Sequence, residues 1–147
     1  PVCGHVGLTP QSVHKLGGYK VQGKDDHAAD QMIKEALILE EAGADLMVVE
    51  CVPSSLGGDL SAALNIPVIG IGAGPGTDGQ VLVLQDMLGI SQRLPKFSKD
   101  FLKESNSIQD AITAFGIEVR SGTFPAPEHS FKSVSYTHLT LPTTPYV

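Results

Sequence analysis

The chain has 147 residues, enough for one domain with a hydrophobic core. Apolar residues make up 41% of it, charged residues 18%, and the net charge is −6, which disfavours a nucleic acid or an anionic membrane surface as the main partner. No stretch of the sequence reaches the roughly 20 apolar residues of a membrane span. Two cysteines are too few for a disulfide framework, so a reducing, cytoplasmic location is expected.

The apolar pattern predicts alternating strands and helices. Residues 1–5 resemble the end of an apolar strand, and residues 8–24 are rich in glycine, proline and polar residues, as in a long loop. A helix is predicted over residues 25–42, because its apolar residues recur at i, i+3, i+4 and i+7, and Gly43 ends it. Residues 45–51 then form an apolar run with two valines, which predicts a strand buried on both faces.

The second half of the chain repeats this alternation. A weaker helix is predicted over residues 53–64, with a frayed start, because two adjacent glycines each cost about 1 kcal/mol against alanine. Strands are predicted over residues 68–71 and 79–84. The pattern is helical again from Pro95, with a capped, apolar-striped last part that ends at Gly122.

This order of elements predicts an α/β fold with a parallel sheet. Parallel strands point the same way, so their carboxyl ends share one edge of the sheet, and we expect His5, Glu50, residues 72–76 and Asp86 to lie there. In a (β/α)8 barrel this face carries the chemistry, and in a doubly wound sheet the ligand crevice lies on the same side. The sequence therefore predicts a functional site at this edge.

Glu50 is the strongest single candidate. A carboxylate that follows apolar residues at a strand end loses hydration, which raises its pKa towards the range in which a general base works. The alternative is a structural acid that pairs with a lysine or a helix N-terminus. His5 holds the equivalent position one unit earlier, and is either part of the same site or a hydrogen-bonded structural residue.

Glycines and a cysteine surround these candidates. Residues 70–74 make a poor dinucleotide fingerprint, because Pro75 intervenes and no long apolar helix follows directly. Glycines at a strand exit more simply let a ligand or a neighbouring backbone approach closely, so Gly72 and Gly74 are candidates for substrate binding. Cys51 is predicted to be a buried, unreactive thiol.

Several longer motifs resemble the ketopantoate hydroxymethyltransferase family. They are residues 1–11 (PVCGHVGLTPQ), 17–23 (GGYKVQG), 49–53 (VECVP), 66–74 (IPVIGIGAG) and the closing 128–131 (EHSF). The likeness extends from the first residue to about residue 131. It implies that residues 1–132 are the second half of a (β/α)8 barrel, about strands 5 to 8 with their helices.

The resemblance also implies a reaction. The family transfers a hydroxymethyl group from 5,10-methylenetetrahydrofolate to 3-methyl-2-oxobutanoate, giving 2-dehydropantoate in pantothenate biosynthesis. Glu50 then matches the proton acceptor, and His5 matches a histidine near the keto acid. Mg²⁺, chelated by the substrate, is implied as a Lewis acid, and a homo-oligomer as the assembly. In this family the magnesium ligands and a substrate-binding lysine belong to the first half of the barrel, so neither a metal ligand nor turnover is expected of this stretch alone.

Residues 133–147 do not continue the family's sequence. They resemble one reading frame of a sequencing adapter translated by accident, and the alternative is a natural threonine-rich tail. Two other functions stay open for the rest of the chain. One is a Mg²⁺-dependent carbon–carbon lyase or mutase of the same barrel type that acts on keto acids, and the other is a non-catalytic half-barrel that serves as an assembly module.

Overall fold

A computed structural model describes residues 1–134 of the chain. Four parallel strands form one sheet, as the alternation of elements predicts, and their order is β1–β2–β3–β4. The elements are β1 (Cys3–Gly7), a 3-10 turn (Pro10–Ser12), α1 (Asp26–Glu41), β2 (Leu46–Glu50), α2 (Ser54–Ala63), β3 (Val68–Ile71), β4 (Gly79–Gln80), α3 (Leu84–Met87), α4 (Ile108–Ser121) and a second 3-10 turn (Pro127–His129). Within these residues no helix has the length and apolar content to cross a membrane.

The two faces of the sheet pack against different parts of the chain. Side chains alternate along a strand, and Met47 and Val49 of β2 are fully buried in a cluster with residues of α1 and α2. Val48 lies on the opposite face and packs, with Ile71 of β3, against a second cluster that includes α4. Glu50 follows Val48 by two residues and so shares its face.

The helix that precedes β2 forms where its sequence predicts. The Asp25 side chain accepts a hydrogen bond from the Ala28 N–H at 2.8 Å and so caps the first turn of α1. Met32 and Ala36, spaced by one helical turn, are buried against the sheet. The chain leaves the helix through Gly43, whose φ is 105°.

The fourth strand is shorter than predicted. β4 comprises only Gly79–Gln80 instead of residues 79–84, because β3 ends at Ile71 and only Ile69 and Gly70 pair with β4. Beyond the end of β4 the chain coils into the short α3. Asp86 lies in α3, where its Oδ1 accepts a hydrogen bond from Ser91 Oγ at 2.6 Å, so its expected place at the carboxyl end of a strand is wrong.

The helical pattern from Pro95 is also partly wrong, because α4 begins only at Ile108. Residues 95–106 form turns instead. Asp100 Oδ1 accepts hydrogen bonds from the backbone N–H groups two and three residues later, at 3.0 and 3.1 Å. Such local side-chain bonds compete with a helix. The predicted cap is confirmed, since the Ser107 side chain accepts from the backbone at the start of α4.

The frayed start predicted for α2 is wrong for a similar local reason. The helix begins at Ser54 and includes both glycines, Gly57 and Gly58. Gly57 packs directly on the carbonyl group of Ala73, and a Cβ at Gly57 would overlap that oxygen, whereas a Cβ at Gly58 would meet nothing within 4 Å. Gly57 therefore allows α2 to approach the loop that follows β3.

The two glycines should respond to alanine with opposite signs. Gly57→Ala gains helix propensity but must displace a backbone carbonyl, and we expect a net loss of about 1–2 kcal/mol in the free energy of unfolding. Gly58→Ala, its matched control, should gain about 0.5–1 kcal/mol, because it only reduces backbone freedom in the unfolded chain. Urea unfolding of both variants measures the difference. Equal signs would contradict the assigned contact.

The end of the described chain folds back onto α2. The Ser54 N–H donates to the Phe131 carbonyl oxygen at 3.0 Å, and the Phe131 ring makes an edge-to-face contact with Phe97. Ser133 and Val134 both hydrogen-bond to the Lys24 carbonyl oxygen. The rest of the segment predicted to be foreign, residues 135–147, lies outside the described residues, and its origin stays a prediction.

Candidate active site

His5 and Glu50 meet on one face of the sheet. In the register of β1 and β2, His5 lies opposite Val48 and Gly7 lies opposite Glu50, so the two side chains are diagonal neighbours. His5 Nε2 is 3.0 Å from Glu50 Oε2. The side chains of His5 and Glu50 are 30% and 17% exposed, so the pair is largely desolvated but still open to a ligand.

The protonated, neutral form of Glu50 is more favoured in its protein environment than that of a glutamate in water. Burial raises the pKa of the Glu50 carboxyl, and the charge and hydrogen bond of His5 oppose this only in part. The direction predicted from the sequence is confirmed. The partner is new: it is His5, and not the lysine or helix N-terminus of the structural alternative.

The two oxygens of Glu50 have different environments. Oε2 contacts His5, whereas Oε1 has no hydrogen-bond partner among residues 1–134. With the Nε2–H tautomer, His5 donates to the ionised carboxylate and fixes its plane. Oε1 is then the oxygen that can accept a proton from a ligand.

The raised pKa of Glu50 has a consequence for stability. The Glu50 carboxyl binds its proton more tightly in the folded chain than in the unfolded chain, whose glutamate pKa is about 4.3. This tighter binding raises the free energy of unfolding fully below the unfolded-state pKa. The contribution is lost as the pH rises through the folded-state pKa. Since glutamine does not titrate, we expect Glu50→Gln to gain stability relative to the unchanged chain as the pH rises from about 4 to 8.

Urea unfolding at several pH values and one protein concentration measures this difference. Glu104→Gln removes an exposed carboxylate elsewhere and is the control for a lost charge. A difference for Glu50→Gln that stays constant or shrinks with rising pH would contradict the assigned direction.

The glycines after β3 serve neighbouring protein groups. Gly72 has a φ of 65°, and a Cβ there would lie 2.9 Å from the Phe97 ring. Gly74 has a φ of 78°, and a Cβ there would overlap Ser54. Both positions thus allow close approach, but of the protein's own side chains. Their role in substrate binding stays a prediction.

The cysteine next to Glu50 is unsuited to nucleophilic chemistry. Cys51 is 6% exposed, and burial together with the charge of Glu50 raises the pKa of its thiol to about 12. A thiol with such a pKa is almost entirely protonated at neutral pH, and the thiolate is the reactive form. The buried, unreactive thiol predicted from the sequence agrees with this environment.

Comparison with known proteins identifies the family. A sequence model of ketopantoate hydroxymethyltransferase matches residues 1–127. The chain belongs to this family. Similar curated proteins are the 3-methyl-2-oxobutanoate hydroxymethyltransferases of Alteromonas mediterranea and Idiomarina loihiensis, each 59% identical over 133 residues, and that of Saccharophagus degradans, 56% identical over 131 residues.

These matches cover most of the chain but only part of each relative. They extend over 89–90% of this chain and 48–50% of the relatives, so the chain spans about half the length of the curated relatives it matches. Ketopantoate hydroxymethyltransferases are (β/α)8 barrels, and the four parallel strands with their helices are a part of such a barrel.

The metal that the family resemblance implies was tested against the residues present. Among residues 1–134, no three His, Cys, Asp or Glu side chains lie close enough together to hold a metal ion. The described residues therefore provide no such cluster for the implied Mg²⁺.

The sequence pointed to both members of the pair but missed their contact. Gly7, the register partner of Glu50, was not singled out at all, although it lies directly against the backbone of the candidate base. The available signal was a glycine two residues after a candidate histidine, in the unit that precedes the strand of Glu50. A turn glycine at a strand exit is too common to be diagnostic by itself.

Proposed function

We propose that this chain carries the general base of a 3-methyl-2-oxobutanoate hydroxymethyltransferase. The complete reaction combines the keto acid, 5,10-methylenetetrahydrofolate and water, and yields 2-dehydropantoate and tetrahydrofolate. The observation that supports this proposal most directly is the 3.0 Å distance between His5 Nε2 and Glu50 Oε2 at the carboxyl end of β2, in a chain of this family. The names of the curated relatives support the same activity.

Glu50 is assigned the first chemical step. Its Oε1 takes the proton from C3 of the keto acid, and the electron pair of the broken C–H bond moves towards the keto group, giving an enolate. Partial desolvation suits this role, because a carboxylate with a raised pKa is a stronger base than one in water. The enolate carbon then forms the new carbon–carbon bond to the one-carbon unit, whose two bonds to the folate nitrogens break. Water supplies the hydroxyl group, and its remaining proton and the proton taken from C3 go to the two nitrogens of tetrahydrofolate.

His5 is assigned the orientation of the base. Donation from Nε2 to Oε2 leaves Oε1 directed to the substrate, and it steadies the negative charge before the proton arrives. The side chain of His5 is 30% exposed, so a ligand can reach it. Binding of the keto acid near His5 is part of the proposal, as are contacts of Gly72 and Gly74 with it.

Other parts of the proposal concern groups outside this stretch. Mg²⁺ would stabilise the enolate oxygen as a Lewis acid, with ligands from the other half of the barrel. A cytoplasmic homo-oligomer is proposed for the whole protein, and the exposed free thiol of Cys3 agrees with a reducing compartment. The family match through residue 127 favours hydroxymethyl transfer over a keto-acid lyase.

A chimera tests the function. In it, the second half of the Alteromonas relative is replaced by this chain, which is 59% identical to that half. We expect the chimera, with Mg²⁺, to form 2-dehydropantoate from the keto acid and methylenetetrahydrofolate, and the chain alone to form none. The intact relative is the positive control. A folded chimera without product would overturn the proposal. Product from the chain alone would overturn the expectation that turnover needs the other half of the barrel.

A further inference from the structure

The residue that follows Glu50 has an unusual backbone. Among residues 1–134, Cys51 is the one non-glycine residue with a positive φ, which is 50°. Side chains other than glycine seldom occupy this left-handed region, and where they do the surrounding structure must impose it. Such residues are enriched at active sites, and here the residue adjoins the proposed base.

Hydrogen bonds hold the Cys51 turn on both sides. The Cys51 N–H donates to the Ile71 carbonyl oxygen at 2.9 Å, so the pairing of β2 with β3 continues past Glu50. The Cys51 carbonyl oxygen turns the other way and accepts the Gln22 N–H at 2.9 Å. Gln22 belongs to the motif of residues 17–23. The proposed roles of Glu50 and His5 do not explain this motif.

The neighbouring strand fixes the other side of Glu50. The Leu8 N–H donates to the Glu50 carbonyl oxygen at 2.9 Å. Gly7 packs so closely against this oxygen that any Cβ would overlap it, and its φ of 91° also requires glycine. The backbone of Glu50 is therefore enclosed by Gly7 on β1 and by the turn at Cys51.

We propose that Gly7 and Cys51 are positioning residues of the hydroxymethyl transfer, which hold the Glu50 backbone so that Oε2 stays on His5 and Oε1 faces the substrate. This inference rests on the proposed function, in which Glu50 is the base. A general base must lie within hydrogen-bond reach of the proton it removes. A displacement of about 1 Å in such a group can lower the rate about 100-fold.

The first test compares two glycines in the chimera. Gly7→Ala and Gly18→Ala both add a methyl group at a left-handed glycine, but at Gly18, with a φ of 115°, the Cβ would meet nothing within 4 Å. We expect Gly7→Ala to lower kcat about 100-fold and to shift the acidic limb of the kcat–pH profile, with little change in KM for the keto acid. For Gly18→Ala we expect kcat, the kcat–pH profile and KM to stay near those of the parent chimera.

The second test addresses the turn itself and stays informative if Gly7→Ala does not fold. Cys51→Gly keeps the left-handed conformation without strain, whereas valine, being β-branched, strongly disfavours it. We expect kcat of Cys51→Val to fall at least about tenfold below that of Cys51→Gly, with the same shift in the pH profile. Circular dichroism and thermal unfolding confirm that both variants are folded.

Glu50→Gln in the same chimera separates this inference from the function beneath it. Parent-like activity of Glu50→Gln would overturn the proposed function. If Glu50→Gln is inactive, equal kcat and pH profiles for Cys51→Val and Cys51→Gly would overturn the positioning role. Equal profiles for Gly7→Ala and Gly18→Ala, both folded, would overturn it as well.

Discussion

Glu50→Gln is expected to lower kcat of the chimeric enzyme about a thousandfold and to leave KM for the keto acid nearly unchanged. Glutamine has almost the same shape as glutamate and can still hydrogen-bond to His5, but it cannot take up the C3 proton. The loss should therefore appear in the chemical step. A structural acid would instead show its effect in folding or in binding.

Hydrogen exchange isolates this step from the folate chemistry. With the keto acid and Mg²⁺ in D₂O, and without folate, the parent chimera should replace the C3 hydrogen by deuterium, which proton NMR detects. Glu50→Gln should abolish the exchange. Glu118→Gln is the matched control, because Glu118 on α4 is also a partly buried carboxylate with a cationic partner, Lys99 Nζ at 2.7 Å. Parent-like exchange by Glu50→Gln would place the base on another residue.

The parts of the fold that the sequence predicts well are those set by neighbours in the chain. α1 and the end of α4 depend on apolar periodicity, a capping side chain and a terminal glycine, all within a few residues of one another. β2 and β3 are apolar runs between clear breaks. These features needed no knowledge of tertiary structure, and the structure bears them out.

The errors arise where distant contacts decide. The apolar run that begins at Gly79 has the composition of a strand, but β4 ends when β3 no longer offers it a partner. Gly57 looks like a helix breaker until the close approach of Ala73 is known. A pattern along the chain contains no information about which group approaches from another element, so propensity alone gave the wrong result.

The candidate site also combines features set by neighbours in the chain with features set by distant contacts. The raised pKa of Glu50 could be predicted, because it follows from an acid at the end of an apolar strand. Its contact with His5 depends on the register of β1 against β2, which the separate strands do not reveal. The sequence gives even less indication of the left-handed turn at Cys51. Cysteine has no preference for that conformation, and only its surroundings impose it.

The isolated chain is expected to associate with itself through strand edges. Among the described residues, β1 pairs only with β2 and β4 only with β3, so the outer edge of each keeps free backbone groups. Val2 beside β1 and Val81 beside β4 are 60% and 42% exposed. Unprotected edges of a sheet with apolar surroundings recruit further strands. Sedimentation velocity of the purified chain should therefore show dimers or larger species that increase with concentration.

Lysine substitutions decide whether the edges cause this association. Val2→Lys and Val81→Lys should shift the chain towards monomer, because a charged side chain on an edge would have to lose its hydration in a new strand pair. Ile117→Lys is the matched control, since Ile117 is 58% exposed on α4 and the change in net charge is identical. An equal effect of Ile117→Lys would indicate general apolar contacts or charge repulsion, and a monomeric parent chain would show that the edges are protected in another way.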